Sequence, residues 1–230
     1  MQRFFVSFPL SIDMNIVDTD IIHQVTRVMR SQVGDSIVLF DGDESETTYE
    51  IMSITKKSLS LRGKDRIFPK VEPARKITLY QALPSKIEKI EYILQKGVEV
   101  GIVKFIFFRS EYSQKLLLSE AKVVRFKAII REAVEQCGGV SLPELHFLSM
   151  TEFPRGHTPN MTLDTIGRSL KISEIPIFDQ VSIWIGPEGG WSDTEREKMS
   201  DSGFLFVRLW ERVLRTETAG VVSAFALLHA

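Results

Sequence analysis

The sequence predicts an α/β protein in which a small β-barrel precedes a domain of alternating strands and helices. Residues 1 to 72 consist mostly of short β-rich segments, with one helix-spaced apolar stripe. After Phe68–Pro73, a stretch marked by two prolines, strands and helices alternate. Such alternation is typical of a mostly parallel sheet that is covered on both faces. We therefore expect two domains, residues 1–72 and residues 73–230.

The front domain is expected to contain one helix and four strands. The helix covers Ile21–Arg30, because apolar residues recur there at helical spacing, and Gly34 follows as a stop signal. Asp41-Gly42-Asp43 is a tight-turn signal that joins the second and third strands as a hairpin. The four strands are Arg3–Phe8, Ser36–Phe40, Thr47–Ile54 and Ser58–Arg62.

The rear domain is expected to alternate strands with helices. A serine followed three residues later by a glutamate predicts a capped helix start at two places, Ser85 with Glu88 and Ser192 with Glu195. The polar segment Met150–Phe178 predicts no regular element. The strands are Ile77–Gln81, Val103–Phe108, Val181–Ile185 and Phe204–Leu209, and two further helices cover Ser119–Gln136 and Thr216–Leu228.

Composition narrows the classes of function. The chain has 230 residues and a net charge of −1, and Cys137 is its only cysteine, so neither a disulfide framework nor a cysteine-rich metal site is expected. Its four histidines are scattered, which does not fit a zinc site. No apolar run approaches the roughly 18 residues that cross a bilayer. We therefore expect a cytoplasmic protein that holds no metal and is not inserted in a membrane.

Two loops that follow strands are the best candidates for chemistry. Ile185–Ser192 contains three glycines, which let the backbone bend sharply and approach a ligand. Leu209–Ala219 carries two arginines where the chain enters the last helix, and Thr216 can cap that helix, whose start favours negative charge. Ligands of α/β proteins bind at such strand ends. Taken alone, each loop is equally compatible with an ordinary turn into a helix.

Two charged regions are open to two interpretations. Eight basic residues lie between positions 56 and 76, which indicates either an RNA-binding face or an ordinary solvated face. Glu132 and Gln136 share one face of a predicted helix, and Lys96 lies near the end of the helix before it. Such groups line a solvated helix face more often than a site.

Six segments, taken together and in order, resemble the SPOUT superfamily of trefoil-knotted methyltransferases. Within it they resemble the bacterial family that methylates N3 of a uridine in 16S ribosomal RNA. The similarity spans nearly the whole chain, and the last two segments are the most specific. The segments are Arg3–Phe5, His23–Arg27 with Arg30, Gly34 and Asp35, Lys96–Gly101, Glu132–Gln136, Ile185–Gly190, and Arg212–Ala219.

The resemblance implies a PUA-like β-barrel over residues 1–72 and a knotted methyltransferase domain over residues 73–230. It also implies S-adenosylmethionine as the cofactor, the small ribosomal subunit as the partner, and a homodimer. Ribose 2′-O methylation and a non-catalytic role in ribosome assembly are the alternative functions. Two positions depart from the family pattern, Trp210 in place of a small residue and Gly139 in place of arginine.

The resemblance further implies roles for individual residues. Arg215 is expected to stabilise the anion that develops on the uracil ring, and either Glu217 or water to accept the ring proton. Cofactor binding is expected of Gly186, Pro187, Glu188, Gly190, Leu209, Leu214, Arg215 and Thr216. RNA binding is expected of Arg3, His23, Arg27, Arg30, Lys96, Glu132 and Gln136.

Overall fold

Two sheets organise the part of the chain that the structure describes, and each belongs to a separate unit. The computed structural model describes residues 1–149, 153, 158–165, 170–171, 174–176, 178–209 and 211–229, so Trp210 lies outside the described residues. The first unit consists of Met1–Glu72 and Val134–Leu142. The second consists of Pro73–Ala133 and Pro143–Ala230.

The first unit is built on a mixed five-stranded sheet. Its strands are β1 (Arg3–Phe5), β2 (Asp13–Ile16), β3 (Ser36–Phe40), β4 (Glu46–Ile54) and β5 (Leu59–Ile67), in the order β1-β3-β4-β5-β2. The strands β1 and β3 are parallel, and the other neighbours are antiparallel. Gly42 lies in the turn between β3 and β4 with a φ of 90°, which confirms the predicted hairpin.

One apolar cluster joins all five strands of this sheet to a short helix. Helix α1 (Thr19–His23) is capped by Asp18, whose carboxylate accepts hydrogen bonds from the backbone N–H groups of Asp20 and Ile21. It continues as a π-helical turn over Gln24–Val28. The predicted helix is therefore present, but it starts two residues earlier and changes its hydrogen-bond pattern. The cluster includes Phe4, Ile16, Val25, Ile37, Tyr49, Ile51 and Leu59.

The second unit contains a seven-stranded sheet in which every pairing is parallel. Its strands are β6 (Lys76–Ala82), β7 (Lys104–Phe108), β8 (Glu144–Leu148), β9 (Asn160–Leu163), β10 (Leu170–Lys171), β11 (Gln180–Ile185) and β12 (Leu205–Arg208), in the order β10-β12-β9-β11-β6-β7-β8. The prediction of a parallel sheet is confirmed. Because the strands run the same way, the residues that follow β9, β11 and β12 emerge at one edge.

In the described part of the second unit, four helices accompany this sheet in sequence. They are α2 (Ile87–Glu99), α3 (Glu120–Cys137), α4 (Asp193–Asp201) and α5 (Thr216–Leu228). The predicted capping box of Ser192 and Glu195 is confirmed at the start of α4. The last turn of α3 groups with the first unit, as part of Val134–Leu142. Within the described part of the chain, no helix has both the length and the apolar character needed to cross a membrane.

The strand β9 corrects the prediction that Met150–Phe178 contains no regular element. It pairs with β11 on one side and with β12 on the other, so it lies inside the sheet. Its four residues, Asn-Met-Thr-Leu, are too few and too mixed in polarity to show strand periodicity. The strands β2, β8 and β10 were also not predicted, and β10 lies in the same segment as β9. The knot that the resemblance implies does not follow from these pairings and stays a prediction.

Candidate active site

A cavity of about 590 Å³ lies at the edge of the sheet where β9, β11 and β12 end. Residues from the loop after each of these strands line it, and Lys89 of α2 and Arg196 of α4 complete the wall. The structure brings together all the residues from which cofactor binding was expected: Gly186, Pro187, Glu188, Gly190, Leu209, Leu214, Arg215 and Thr216.

The glycine loop between β11 and α4 is tightly folded. The N–H of Gly190 donates to the carbonyl of Pro187 at 2.9 Å, and Gly190 has a φ of +73°. A side chain at Gly190 would meet no atom within 4 Å, whereas one at Gly186 would come within 3.2 Å of the Trp191 ring. The loop thus needs glycine for two different reasons, backbone conformation at one position and close packing at the other.

The far end of the glycine loop is fixed by a buried carboxylate. Glu195 accepts the N–H of Ser192 at 3.0 Å as part of the capping box. Its other oxygen accepts the Ser110 hydroxyl at 2.8 Å and the N–H of Glu111 at 3.0 Å. The loop after β7 is thereby joined to the start of α4, which directly follows Trp191.

The start of α5 differs from the prediction that Thr216 caps it. Arg215 occupies the N-cap position and makes no side-chain capping bond. The hydroxyl of Thr216 instead donates to the carbonyl of Gly186 at 2.6 Å and accepts from Nε2 of Gln81 at 2.8 Å. The hydroxyl therefore ties the helix to the glycine loop, and the start of α5 at the cavity wall keeps its partial positive charge.

Lys89, Glu188 and Glu217 form a charged cluster beside the cavity. Nζ of Lys89 lies 2.8 Å from Oε1 of Glu188 and 3.3 Å from Oε2 of Glu217. The prediction that Ser85 caps α2 is wrong, because Lys86 holds the N-cap position and Ser85 donates to Glu188 through its N–H (3.0 Å) and its hydroxyl (2.7 Å).

These contacts set the protonation of the cluster. Burial alone would raise the pKa of Glu188, but hydrogen bonds from Lys89 and Ser85 outweigh it and lower that pKa to about 2. The hydrogen bond to Glu188 raises the pKa of Lys89. Both groups are charged at neutral pH. Glu217 is not among the residues that line the cavity, so its position does not favour the role of proton acceptor.

A second ion pair lines the cavity and was not predicted. Nε of Arg196 donates to Oδ2 of Asp164 at 2.7 Å, and the Asp164 side chain is buried. Hydrogen bonding to Asp164 raises the pKa of Arg196. Asp164 directly follows β9, so recognising that strand would have placed this carboxylate at the edge of the sheet. No other sequence signal pointed to it.

Three of the residues expected to bind RNA are exposed on one short segment of the first unit. His23 ends α1, Arg27 lies in the π-helical turn, and Arg30 follows with a φ of 56°. Within the described part of the chain, none of the three forms an ion pair. Arg3 differs, because Glu46 accepts from its guanidinium at 2.8 Å and the carbonyl of Gly139 accepts at 2.9 Å.

The remaining residues expected to bind RNA are not among those that line the cavity. Lys96 pairs with Glu99 at 2.7 Å on α2, and Glu132 and Gln136 are exposed on α3. Part of the basic stretch is also engaged in ion pairs, with Arg62 3.4 Å from Asp13 and Lys64 2.9 Å from Glu50. Among the described residues, no group of three histidines, cysteines or acids is arranged to hold a metal ion.

Comparison with known proteins agrees with this architecture. A family model described as an RNA methyltransferase domain matches residues 71–228, and one described as an RNA methyltransferase PUA domain matches residues 17–62. The chain belongs to this RNA methyltransferase family. Its first unit accordingly carries the PUA domain.

Similar proteins from other organisms match this chain over most of their own length. The ribosomal RNA small subunit methyltransferase E of Buchnera aphidicola is 29% identical over 89% of this chain and 83% of its own. A methyltransferase from Legionella pneumophila, solved with bound S-adenosylmethionine, has a TM-score of 0.85 and 30% identity, covering 99% of this chain and 96% of its own.

The methyltransferase E from Neisseria gonorrhoeae, also solved with S-adenosylmethionine, has a TM-score of 0.88 at 26% identity. That likeness covers 100% of this chain and 97% of the Neisseria protein. The predicted relationship to this bacterial family of ribosomal RNA methyltransferases is confirmed.

Proposed function

We propose that this protein uses S-adenosylmethionine to methylate N3 of a uridine in the 16S ribosomal RNA of the small subunit. The observation that carries the proposal is the convergence of the glycine loop and the Leu209–Thr216 loop on one cavity, in a chain of this family. Relatives of the same family are named for small-subunit ribosomal RNA, and two of the similar structures hold this cofactor.

The cavity suits the cofactor in size and in lining. Its volume of about 590 Å³ falls inside the usual range for small-molecule sites, roughly 300 to 1,000 Å³. Open space above Gly190 allows a ligand to approach the backbone closely. Gly186, Gly190, Leu209 and Leu214–Thr216 would hold the cofactor, mainly through backbone groups.

The cofactor supplies an activated methyl group, so the protein has to align the two reactants and manage charge. Uridine N3 carries a proton at neutral pH and becomes a good nucleophile only as that proton leaves. Arg215 is exposed and lines the cavity, which supports a role in which its guanidinium would stabilise the resulting anion. Since Lys89 pairs with Glu217, we assign the proton to water.

Recognition of the RNA is assigned to the first unit and to the cavity mouth. His23, Arg27 and Arg30 would contact phosphates, and Arg212 and Arg215 would meet the target nucleotide. N3 lies on the Watson–Crick edge, so the uridine has to be unstacked.

A ribosomal substrate places the reaction in the cytoplasm. As a homodimer, the protein would show about twice 26.2 kDa by light scattering.

Nucleoside mass spectrometry of 16S ribosomal RNA from cells with and without this protein tests the assignment. We expect one 3-methyluridine to disappear on deletion and to return when the wild-type chain is supplied. Loss of a 2′-O-methylated nucleoside instead would establish ribose chemistry. Unchanged nucleosides, together with a ribosome assembly defect, would favour the non-catalytic role.

A further inference from the structure

Lys89 reaches the cavity from helix α2, outside the two loops that carry the expected cofactor-binding residues. It lies in the first turn of α2, yet it lines the cavity together with the two motif loops. Its ammonium contacts one carboxylate from each of two separate elements, Glu188 of the glycine loop and Glu217 of α5. One side chain thus bridges two elements that both contribute to the cavity wall.

The two carboxylates depend on Lys89 to different degrees. Glu188 also accepts two hydrogen bonds from Ser85, so it keeps partners if the ammonium is removed. Oε2 of Glu217 is buried and, within the described chain, has no hydrogen-bond partner, which leaves the ammonium 3.3 Å away as its compensating charge. Without Lys89 the net charge of this partly buried cluster would change from −1 to −2.

The same two elements meet at a second, neutral contact. The hydroxyl of Thr216, next to Glu217, donates to the carbonyl of Gly186, two residues before Glu188. Repulsion between Glu188 and Glu217 would therefore act directly on this hydrogen bond between the glycine loop and α5. We infer that Lys89 is a positioning residue, whose charge holds the glycine loop against the start of α5 and so keeps these two parts of the cavity wall in place. This inference rests on the proposed binding of S-adenosylmethionine.

Binding of S-adenosylhomocysteine, the demethylated product, measured by isothermal titration calorimetry, tests the charge requirement. Lys89→Met keeps most of the side-chain length and removes the charge, and we expect about tenfold weaker binding, since two partly shielded ion pairs are replaced by repulsion. Lys89→Arg should retain most of the affinity. Lys86→Met is the matched control, because Lys86 is exposed and does not line the cavity; it should bind like the wild type.

A double variant separates the charge from the packing of the side chain. Adding Glu217→Gln to Lys89→Met removes the repulsion, so affinity should return to within about threefold of the wild type. Such a rescue would show that the effects of the two substitutions are strongly coupled, as expected of neighbouring groups. Absence of any rescue, or normal affinity in Lys89→Met alone, would overturn the inference. If Lys89→Met fails to fold, the affinities of the double variant and of Lys89→Arg for S-adenosylhomocysteine test the inference in its place. A wild-type protein that does not bind the ligand would refute the proposed function instead.

Discussion

The backbone of Arg215 is anchored by hydrogen bonds, whereas its side chain forms no ion pair with the described residues. Its carbonyl accepts the N–H groups of Thr218 and Ala219, both at 2.9 Å, which anchors the residue at the start of α5. Its guanidinium is exposed at the cavity and, among the described residues, forms no ion pair. The anchored backbone fixes where this side chain starts, and its guanidinium is available to pair with charge that develops on a substrate.

Replacement of Arg215 should therefore affect turnover more than cofactor binding. We expect Arg215→Ala to lower the single-turnover methylation rate by about 100- to 1,000-fold, as for the loss of one stabiliser of developing charge. Arg215→Lys should restore only part of the rate, because an ammonium lacks the guanidinium fork. A near-normal rate in Arg215→Ala, at saturating RNA and cofactor, would remove this residue from the mechanism.

The depressed pKa of Glu188 predicts a pH-dependent contribution to stability. Its pKa is lowered from 4.5 to about 2 by Lys89 and Ser85, so its ionised form stabilises the fold above pH 4.5, and this contribution is lost as the pH falls toward 2. Urea unfolding should show Glu188→Gln less stable than the wild type at pH 6, with a gap that narrows below pH 4.5. Glu197→Gln, at an exposed site on α4, should show no such trend. A gap of constant size would contradict the ionic origin.

At the scale of elements, local signals in the sequence predicted most strands and helices, and tertiary contacts explain the errors. Helix α5 has the predicted bounds, and both motif loops reach the cavity as expected. Ser85 and Thr216 occur at helix starts, but their hydroxyls bond to groups distant in sequence, Glu188 and Gly186. Such pairings are invisible to a pattern of three or four residues. The same holds for Lys89, whose helical position suggests nothing about its partners.

The glycine loop gives a test of the cavity as a binding element. Gly190→Arg should abolish cofactor binding, because its side chain would project into space that is open at present. Gly203→Arg is a matched control, since Gly203 also has a positive φ (77°) and open surroundings but does not line the cavity. Both variants carry similar backbone strain. If both variants lose cofactor binding equally in calorimetry, backbone strain explains the loss. If Gly190→Arg still binds the cofactor, the cavity is not the cofactor site.

At the scale of the whole molecule, the chain does not divide into two units at a single point. Val134–Leu142 belongs to the first unit, where Glu72 accepts the N–H groups of Val140 and Ser141 at 2.7 and 3.1 Å. Arg3 donates to the carbonyls of Val134 and Gly139 in the same segment. Deleting residues 1–72 would strip these partners from the end of α3, so a truncated chain is a poor test of RNA binding.

Charge variants of the full-length chain test the RNA-binding role of the first unit without this damage. Arg27 and Arg30 are exposed, so Arg27→Gln with Arg30→Gln should leave folding and cofactor affinity unchanged while weakening binding to small-subunit RNA. For each lost phosphate contact, the slope of log affinity against log salt should fall by about 0.7 to 0.9. Lys56→Gln with Lys57→Gln is the comparison, because these exposed lysines lie in the basic stretch of the same unit. If only the lysine variant loses affinity and salt dependence, the basic stretch contacts the RNA and the helical segment does not.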